Sequence, residues 1–308
     1  MSGLLSAVIP THNRLDTLLR VLDSLAAQQG APAFEVVLVD DGSTDATPRT
    51  IPRKSYPFPL RYFPRPQGGP AKARNFGVQE AQGETVAFFG DDTILDPLCL
   101  RFHHAAREAR GGGVAILGYT RWHPDLRPTR FMEYINEYGL QFGFRIIPDP
   151  ERVPFNFFYT SNVSLPRRLM TEQGGFDETF PYAAWEDIEL AYRMEKAGMV
   201  MAYEPRAVAL HRHPTTIATF LQRQRRSGLA AAAFAAKHPE RRDWLGAPLA
   251  RALPRAMPRP LQWKARVARF FEFTPVPVPV SWYREIMEHA YLMGLNEALE
   301  RERSADSA

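Results

Sequence analysis

The chain has 308 residues, of which 45% are hydrophobic and 23% charged, with a formal net charge of +4. This length holds one large domain or a domain with an appendage, and the composition excludes a disordered or collagen-like chain. The lone Cys99 excludes a disulfide framework or a cysteine zinc site, and no apolar run is long enough for a membrane-spanning helix.

Strand-like runs occur at residues 4–9, 35–39, 60–63, 85–89 and 114–117. Between the first two, Leu15, Leu18, Leu19, Leu22 and Leu25 fall at helical spacing, with Asn13 or Thr11 as the expected cap and Gly30 as the stop. Further helices are expected over 71–81, closed by Gly83, and over 97–110, closed by Gly111 to Gly113. Strand-helix alternation of this length predicts an α/β fold with a Rossmann-like, mostly parallel sheet flanked by helices. Residues 119–162 lose the rhythm and are dense in aromatics and prolines, a composition expected to form core over the sheet. Residues 186–197 read as a helix ended by Gly198, and 199–204 as another strand.

After Pro214 the pattern turns helical, over 219–237 and again over 281–300. Residues 248–260 read as a linker or surface loop, and Pro275-Val-Pro-Val-Pro279 as an extended strut. The expected division is 1–235 as the main domain (halves of about 1–118 and 119–235) and 236–308 as a basic, helical C-terminal extension. The start of the chain, strand-like with no basic region before it, gives no expectation of a signal peptide. Together with the single cysteine it suggests a cytoplasmic protein.

No G-x-x-x-x-G-K-[ST] and no G-x-G-x-x-G follows the first strand, which argues against a P-loop ATPase or a dinucleotide dehydrogenase. Polar loops stand there instead: Pro10-Thr-His-Asn-Arg14 after the first strand and Asp40-Asp-Gly-Ser-Thr-Asp45 after the second. Open α/β sheets bind ligands beyond the carboxyl ends of their strands, so Pro10, Thr11, Arg14 and Asp41 are nucleotide-side candidates. Arg14 is suited to a phosphate and Asp41 to a base N–H. The bland reading of Asp-Gly-Ser is a capped turn. After the run 85–89 come Gly90, Asp91 and Asp92. Two adjacent anions at a strand end are either a turn or the seat of a hard divalent cation.

Val8-Ile-Pro-Thr-His-Asn-Arg14, Val37-Leu-Val-Asp-Asp-Gly-Ser-Thr-Asp45, Gly69-Pro-Ala-Lys-Ala-Arg-Asn-Phe-Gly77 and Phe88-Phe-Gly-Asp-Asp92 resemble, in order and spacing, the signature of the family-2 glycosyltransferases. Gly174-Gly-Phe-Asp-Glu178, Trp185-Glu-Asp-Ile-Glu-Leu190 and His211-Arg-His213 continue the resemblance, which covers about residues 4 to 235. It implies a GT-A fold, a nucleotide-diphosphate-sugar donor, most readily UDP-linked, a divalent metal (Mn²⁺ or Mg²⁺) and an inverting single displacement. Asp41 would then read the base, Arg74 would lie near the nucleotide, and Asp91 and Asp92 would occupy the metal motif. One departure is that many members carry a third carboxylate where this chain has Gly90. His211 would close the metal site, with His213 its rival, since alternation along a strand puts both on one face. Asp187 would be the general base, with Glu186 beside it raising its pKa. Without the resemblance, Glu186, Asp187 and Glu189 read as helix N-terminal charge. Trp185 and Asn162 are the acceptor-side candidates, although Trp185 fits core equally well. Gln222 to Arg226 form either a solvated face or a cover for the diphosphate.

The function so implied is metal-assisted sugar transfer to an acceptor hydroxyl, in polysaccharide or glycolipid synthesis, with a saccharide or lipid-linked acceptor. Two other readings stand behind it. A sugar nucleotidyltransferase would need a Gly-rich loop after the first strand, and none is there. A nucleic-acid-binding module would need a recognition motif among the basic residues, so nucleic acid is not the expected partner. From Lys237 to Phe270 there are nine Lys/Arg against two Asp/Glu. Arg251, Arg255, Arg259, Lys264, Arg266 and Arg269 alternate with Leu249, Leu253, Leu261, Trp263, Val267, Phe270 and Phe271. Such a segment suits peripheral contact with the inner face of the cell membrane, or packing on the main domain or on a second subunit in a homo-oligomer.

Overall fold

The computed structural model describes residues 3–180, 184–252 and 256–306. Leu253 and Arg255, counted above in the basic segment, lie outside the described residues.

The chain forms two compact units. The first holds residues up to Leu126, then Phe142–Glu178 and Glu186–His213. Its strands are β1 (Leu5–Thr11), β2 (Phe34–Asp41), β3 (Leu60–Arg65), β4 (Thr85–Phe89), β5 (Thr93–Leu95), β6 (Ala115–Trp122), β7 (Asn162–Pro166) and β8 (Met201–His211). They form one sheet in the order β3-β2-β1-β4-β7-β6-β8-β5. β3, β2, β1 and β4 are parallel, as are β6 and β8, while β7 runs against both β4 and β6 and β5 runs against β8. The sheet is thus mixed with parallel pairs prevailing. Its central strands read as unbroken apolar runs because both faces are covered. The helices of this unit are α1 (Leu15–Ala26), the single turn α2 (Thr47–Thr50), α3 (Pro70–Glu80), α4 (Cys99–Glu108), the short α6 (Arg167–Thr171) and α7 (Glu186–Lys196). Leu18, Val21, Leu22 and Leu25 of α1 are fully buried against β1, β2 and β4 side chains, as the leucine spacing predicts.

Several elements differ from expectation. Neither Asn13 nor Thr11 caps α1. Asn13, at φ 54°, turns its Oδ1 to the backbone N–H groups of Thr44 (2.7 Å) and Asp45 (3.1 Å), tying the first loop to the second. The Leu15 N–H goes instead to Asp45 Oδ2 at 3.2 Å. β8 continues past Glu204 to His211, so His211 is the last residue of a strand and His213 lies two residues beyond it. In the irregular middle, Phe142, Phe144, Phe155, Phe157 and Phe158 are buried, the core role expected of them.

The second unit is residues 127–141, 179–185 and 214–308, with α5 (Arg130–Glu137), α8 (Ile217–Lys237), α9 (Ala247–Ala252), α10 (Arg259–Phe271) and α11 (Val280–Asp306). The division therefore falls at 213/214 and not at 235. The reason is packing: α8 runs along α11 with its backbone in contact. A Cβ on Gly228 would lie 1.9 Å from the Tyr291 carbonyl oxygen, a clash only glycine avoids. Residues 248–260 are not a plain linker either, since α9 occupies their start and α10 begins at Arg259. Among the described residues no helix is long and apolar enough to cross a membrane.

Candidate active site

The carboxyl ends of β1, β2 and β4 bring the polar loops together in the sheet unit. Thr11, the last residue of β1, is buried and donates from Oγ1 to Asp91 Oδ2 at 2.9 Å. Pro10 precedes it, opposite Val39 in the β1–β2 register. Arg14 sends one guanidinium nitrogen to both acids, at 3.3 Å from Asp91 Oδ1 and closer still to Asp92. Asp41 accepts from the N–H groups of Gly68 (2.7 Å) and Gly69 (2.9 Å), so it anchors the turn that leads into α3. His12 Nδ1 donates to the Asp41 carbonyl at 2.9 Å, because a carbonyl oxygen can only accept.

The acidic pair also meets the end of β8. β5 pairs antiparallel with β8 so that Thr93 lies opposite His211, and the Arg212 N–H donates to the Asp92 carbonyl at 2.7 Å. That register carries His211 and His213 to the Asp92 side chain. His211 Nε2 is 3.5 Å from Oδ1 and His213 Nδ1 is 3.3 Å from Oδ2. One ligand atom from each of Asp92, His211 and His213 lies within 4.8 Å of the others. Both histidines thus converge on the same carboxylate. Trp122 stacks on His211 with ring centres 5.2 Å apart and planes 20° from parallel. A Cβ at Gly90 would fall 2.8 Å from Asp92 Oδ1 and from Thr93 Oγ1, so a side chain there would crowd the oxygen that faces His211. The histidines and Arg14 hold the Asp92 carboxyl well below its ordinary range despite its burial. Burial, and then the charge of Asp92, push Asp91 up to about 6.

A second acidic pair opens α7. Arg74 donates to Glu186 Oε1 at 2.9 Å, with its guanidinium over the ring of Phe176. Asn75 fixes the same loop, accepting from the Phe176 N–H at 2.8 Å and donating to its carbonyl at 2.8 Å. α3 is thereby locked to the glycine-rich loop around Phe176 and to the start of α7. Asp187 keeps part of its surface open while protein crowds the rest. Burial, followed by the charge of Glu186, pushes its carboxyl up to about 7, the range in which a carboxylate can take up and release a proton.

A family model for glycosyl transferase family 2 matches residues 6–165, just over half of the chain. The chain belongs to glycosyl transferase family 2. A further model, glycosyl transferase family group 2, matches residues 86–283. A validoxylamine A glucosyltransferase of Streptomyces hygroscopicus subsp. limoneus is 32% identical over 222 residues, covering 64% of this chain and 49% of that protein. The chondroitin synthase of Escherichia coli is 24% identical over 240 residues, 68% of this chain and 35% of that one. The chain therefore spans about half, or less, of the length of these curated relatives. Among solved structures, S. aureus TarS 1–349 in complex with UDP superposes with a TM-score of 0.57 at 18% identity, covering 98% of this chain and 92% of that one. The mannosyltransferase PcManGT from Pyrobaculum calidifontis, in complex with GDP-Man and Mn²⁺, gives 0.55 at 18% identity, covering 100% and 76%. At that identity the likeness shows the fold, which is GT-A.

For this family-2 chain, the structure brings Thr11, Arg14, Asp91, Asp92, His211 and His213 into one cluster, and Arg74, Glu186 and Asp187 into another. Asn162 is a correction: it is fully buried and cannot reach an acceptor. Its Nδ2 donates to the carbonyls of Ala207 (2.8 Å) and Tyr119 (3.2 Å), and its Oδ1 lies 2.8 Å from His103 Nε2. It braces β7 against β6 and β8, and burial pushes the His103 imidazole down to about 4. Trp185 donates from its indole to Ser227 Oγ at 3.0 Å and packs on Phe234, Trp244 and Tyr291, the core alternative left open above. Arg74, expected beside the nucleotide, is paired with Glu186. In the Gln222 to Arg226 run, Arg223 donates to Gln141, Gln224 to the Leu140 carbonyl at 3.1 Å and Arg225 to Glu297 at 2.7 Å. Trp122 and the Asn75 brace were missed. A tryptophan in an irregular aromatic stretch and an asparagine inside a helix carry no spacing that marks them.

Proposed function

We propose that this chain is an inverting glycosyltransferase, moving a sugar from a nucleotide-diphosphate donor to an acceptor hydroxyl, in the synthesis of a polysaccharide or glycoconjugate. The observation that carries the reading is the convergence of Asp92, His211 and His213 beside the loops that end β1 and β2. A carboxylate with two imidazoles is a donor set suited to Mn²⁺, while Mg²⁺ prefers oxygen alone. The residues present fit a divalent ion, which Asp92, His211 and His213 would hold, with Asp91 in support. When bound, such an ion would supply charge stabilisation for the leaving diphosphate.

This chain's own residues do the rest. Asp41 and the Pro10–Arg14 loop receive the nucleoside, with Asp41 facing the base and Thr11 holding Asp91 in place. Asp187 accepts the proton of the acceptor hydroxyl as that oxygen attacks the anomeric carbon from the face opposite the departing diphosphate. Burial and the negative charge of Glu186 keep the Asp187 carboxylate basic enough for that task, while Arg74 holds Glu186 in place. UDP is the favoured nucleotide, as in the TarS complex.

The test is calorimetric titration of UDP, GDP and dTDP, each with and without Mn²⁺, into the wild type and Asp92→Ala. The reading expects one nucleotide to bind with metal dependence and to lose that dependence in the variant. Binding that ignores both metal and substitution would remove the metal from the reading. No binding of any nucleotide would remove the donor.

A further inference from the structure

In the helical unit, α10 turns Trp263 and Phe270 outward, although Leu261, Val267 and Phe271 are half-buried. Its small residues Ala265 and Ala268 are the buried ones. Trp263 is 58% exposed and Phe270 77%, and the connection to α11 adds Phe273 at 75%, with Val276 and Val280 also exposed. An ordinary surface helix turns its large apolar side chains to the core and its small or polar ones outward. The same outer surface carries Arg259, Arg266 and Arg269, all exposed, and the thirteen residues of α10 include no Asp or Glu. Lys264 is the basic residue turned inward, to Glu285 of α11 at 2.5 Å, so α10 is fixed in this orientation by an ion pair and by the contact of Trp263 with Trp282 at 5.3 Å. Scattered apolar residues on a surface need no explanation, but aromatics in series among arginines do.

We propose that the outer face of α10, together with residues 273–280, docks on an anionic lipid bilayer. The charge decides between occupants. Tryptophan and phenylalanine side chains among arginines match the boundary between headgroups and acyl chains, where rings insert and guanidinium groups stay with the phosphates. A second copy meeting the same patch about a two-fold axis would set Arg259, Arg266 and Arg269 against their own equivalents. A bilayer with anionic headgroups takes up both the rings and the charge. This surface is independent of the sugar-transfer reading, and its test uses no activity.

The full chain is sedimented with phosphatidylcholine vesicles and with vesicles that also contain phosphatidylglycerol, at low salt and at about 0.5 M salt, where screening is nearly complete. The wild type is expected to pellet with the anionic vesicles at low salt and to stay in solution with phosphatidylcholine alone. R259E/R266E/R269E is expected to weaken the partition about fivefold or more for each charge reversed. F270A/F273A is expected to abolish it with circular dichroism and melting unchanged, because these two side chains are about three-quarters exposed and take no part in anchoring α10. Wild type that stays in solution with both vesicles overturns the proposal. So does an aromatic variant that pellets like wild type, since the binding would then lie elsewhere. A concentration-dependent dimer that the aromatic variant dissolves, without vesicle binding, would give the face to a second copy and also overturn it.

Discussion

Asp91–Asp92 and Glu186–Asp187 are both adjacent carboxylate pairs on the sheet unit, yet their surroundings drive Asp92 and Asp187 in opposite directions. Asp92 collects Arg14, His211 and His213, and its carboxyl is held well below the usual range although it is buried. Among the described residues, the cation bonded to the second pair is Arg74, and it is bonded to Glu186. Asp187 is left with burial and a like charge beside it, and rises to about 7. At Asp92 and Asp187 the same side-chain chemistry thus gives a fixed anion where hydrogen-bonding partners are several and a proton carrier where the one cation is bonded to the neighbour. Partner count, not residue type, separates an anchoring acid from a base.

The sharpest way to break this contrast is Asp187→Asn. The amide keeps the shape and cannot take a proton, so transfer is expected to fall about 10²–10⁴-fold with nucleotide binding unchanged. Turnover at the wild-type level would show that the second pair is only helix N-terminal charge. Arg74→Ala is expected to cost about 3–5 kcal/mol in a denaturant titration, because it strands Glu186 buried without its cation. Arg74 also lowers the Asp187 pKa, so the same variant should move the rising limb of the pH–rate profile to higher pH. A loss of stability with no movement of that limb would separate the two acids.

The wild-type limb itself tests the comparison. Asp187 must be ionised to act, so transfer is expected to rise with pH through about 7 and level off above it. Stability should move oppositely. The folded-state pKa lies above the ordinary 3.8, so the folded chain binds that proton more tightly than the unfolded chain. The contribution is fully present below about 4 and is lost as pH rises through about 7. Asp187→Asn removes it, so the melting temperature of the variant should gain on wild type between pH 4 and 8. A constant difference across that range would mean that Asp187 has an ordinary pKa.

The parallel half of the sheet was legible because strands buried on both faces are continuous apolar runs and the intervening leucines keep helical spacing. The two acidic pairs were legible as motifs, the first after Gly90 at a strand end and the second at an expected helix start. What they bond to was not. Arg74 and Glu186 are far apart in sequence, and nothing in the spacing of either names the other. Asn162 misled for the same reason: a polar residue at the end of an irregular aromatic stretch reads as available for contact, but it opens a fully buried strand and braces three carbonyl and imidazole groups. The α8 boundary misled because helical periodicity says which face is apolar and not which helix covers it.

The smallest predicted effect asks whether the donors around the first pair respond to its charge. Thr11 gives its hydroxyl proton to Asp91 Oδ2 at 2.9 Å, in a site where both side chains are buried. Valine fills nearly the same space, so Thr11→Val removes a donor without opening a cavity, and about 1–2 kcal/mol is expected. That bond favours the ionised carboxyl and helps to lower an Asp91 pKa that burial has raised to about 6. The deficit of the variant should therefore be largest above pH 6 and shrink below it, as Asp91 becomes protonated in both proteins. Denaturant titrations at pH 8 and pH 5 give the two values. Equal deficits would mean that Thr11 contributes packing alone, and the contrast between the pairs would then rest on Arg14 and the histidines.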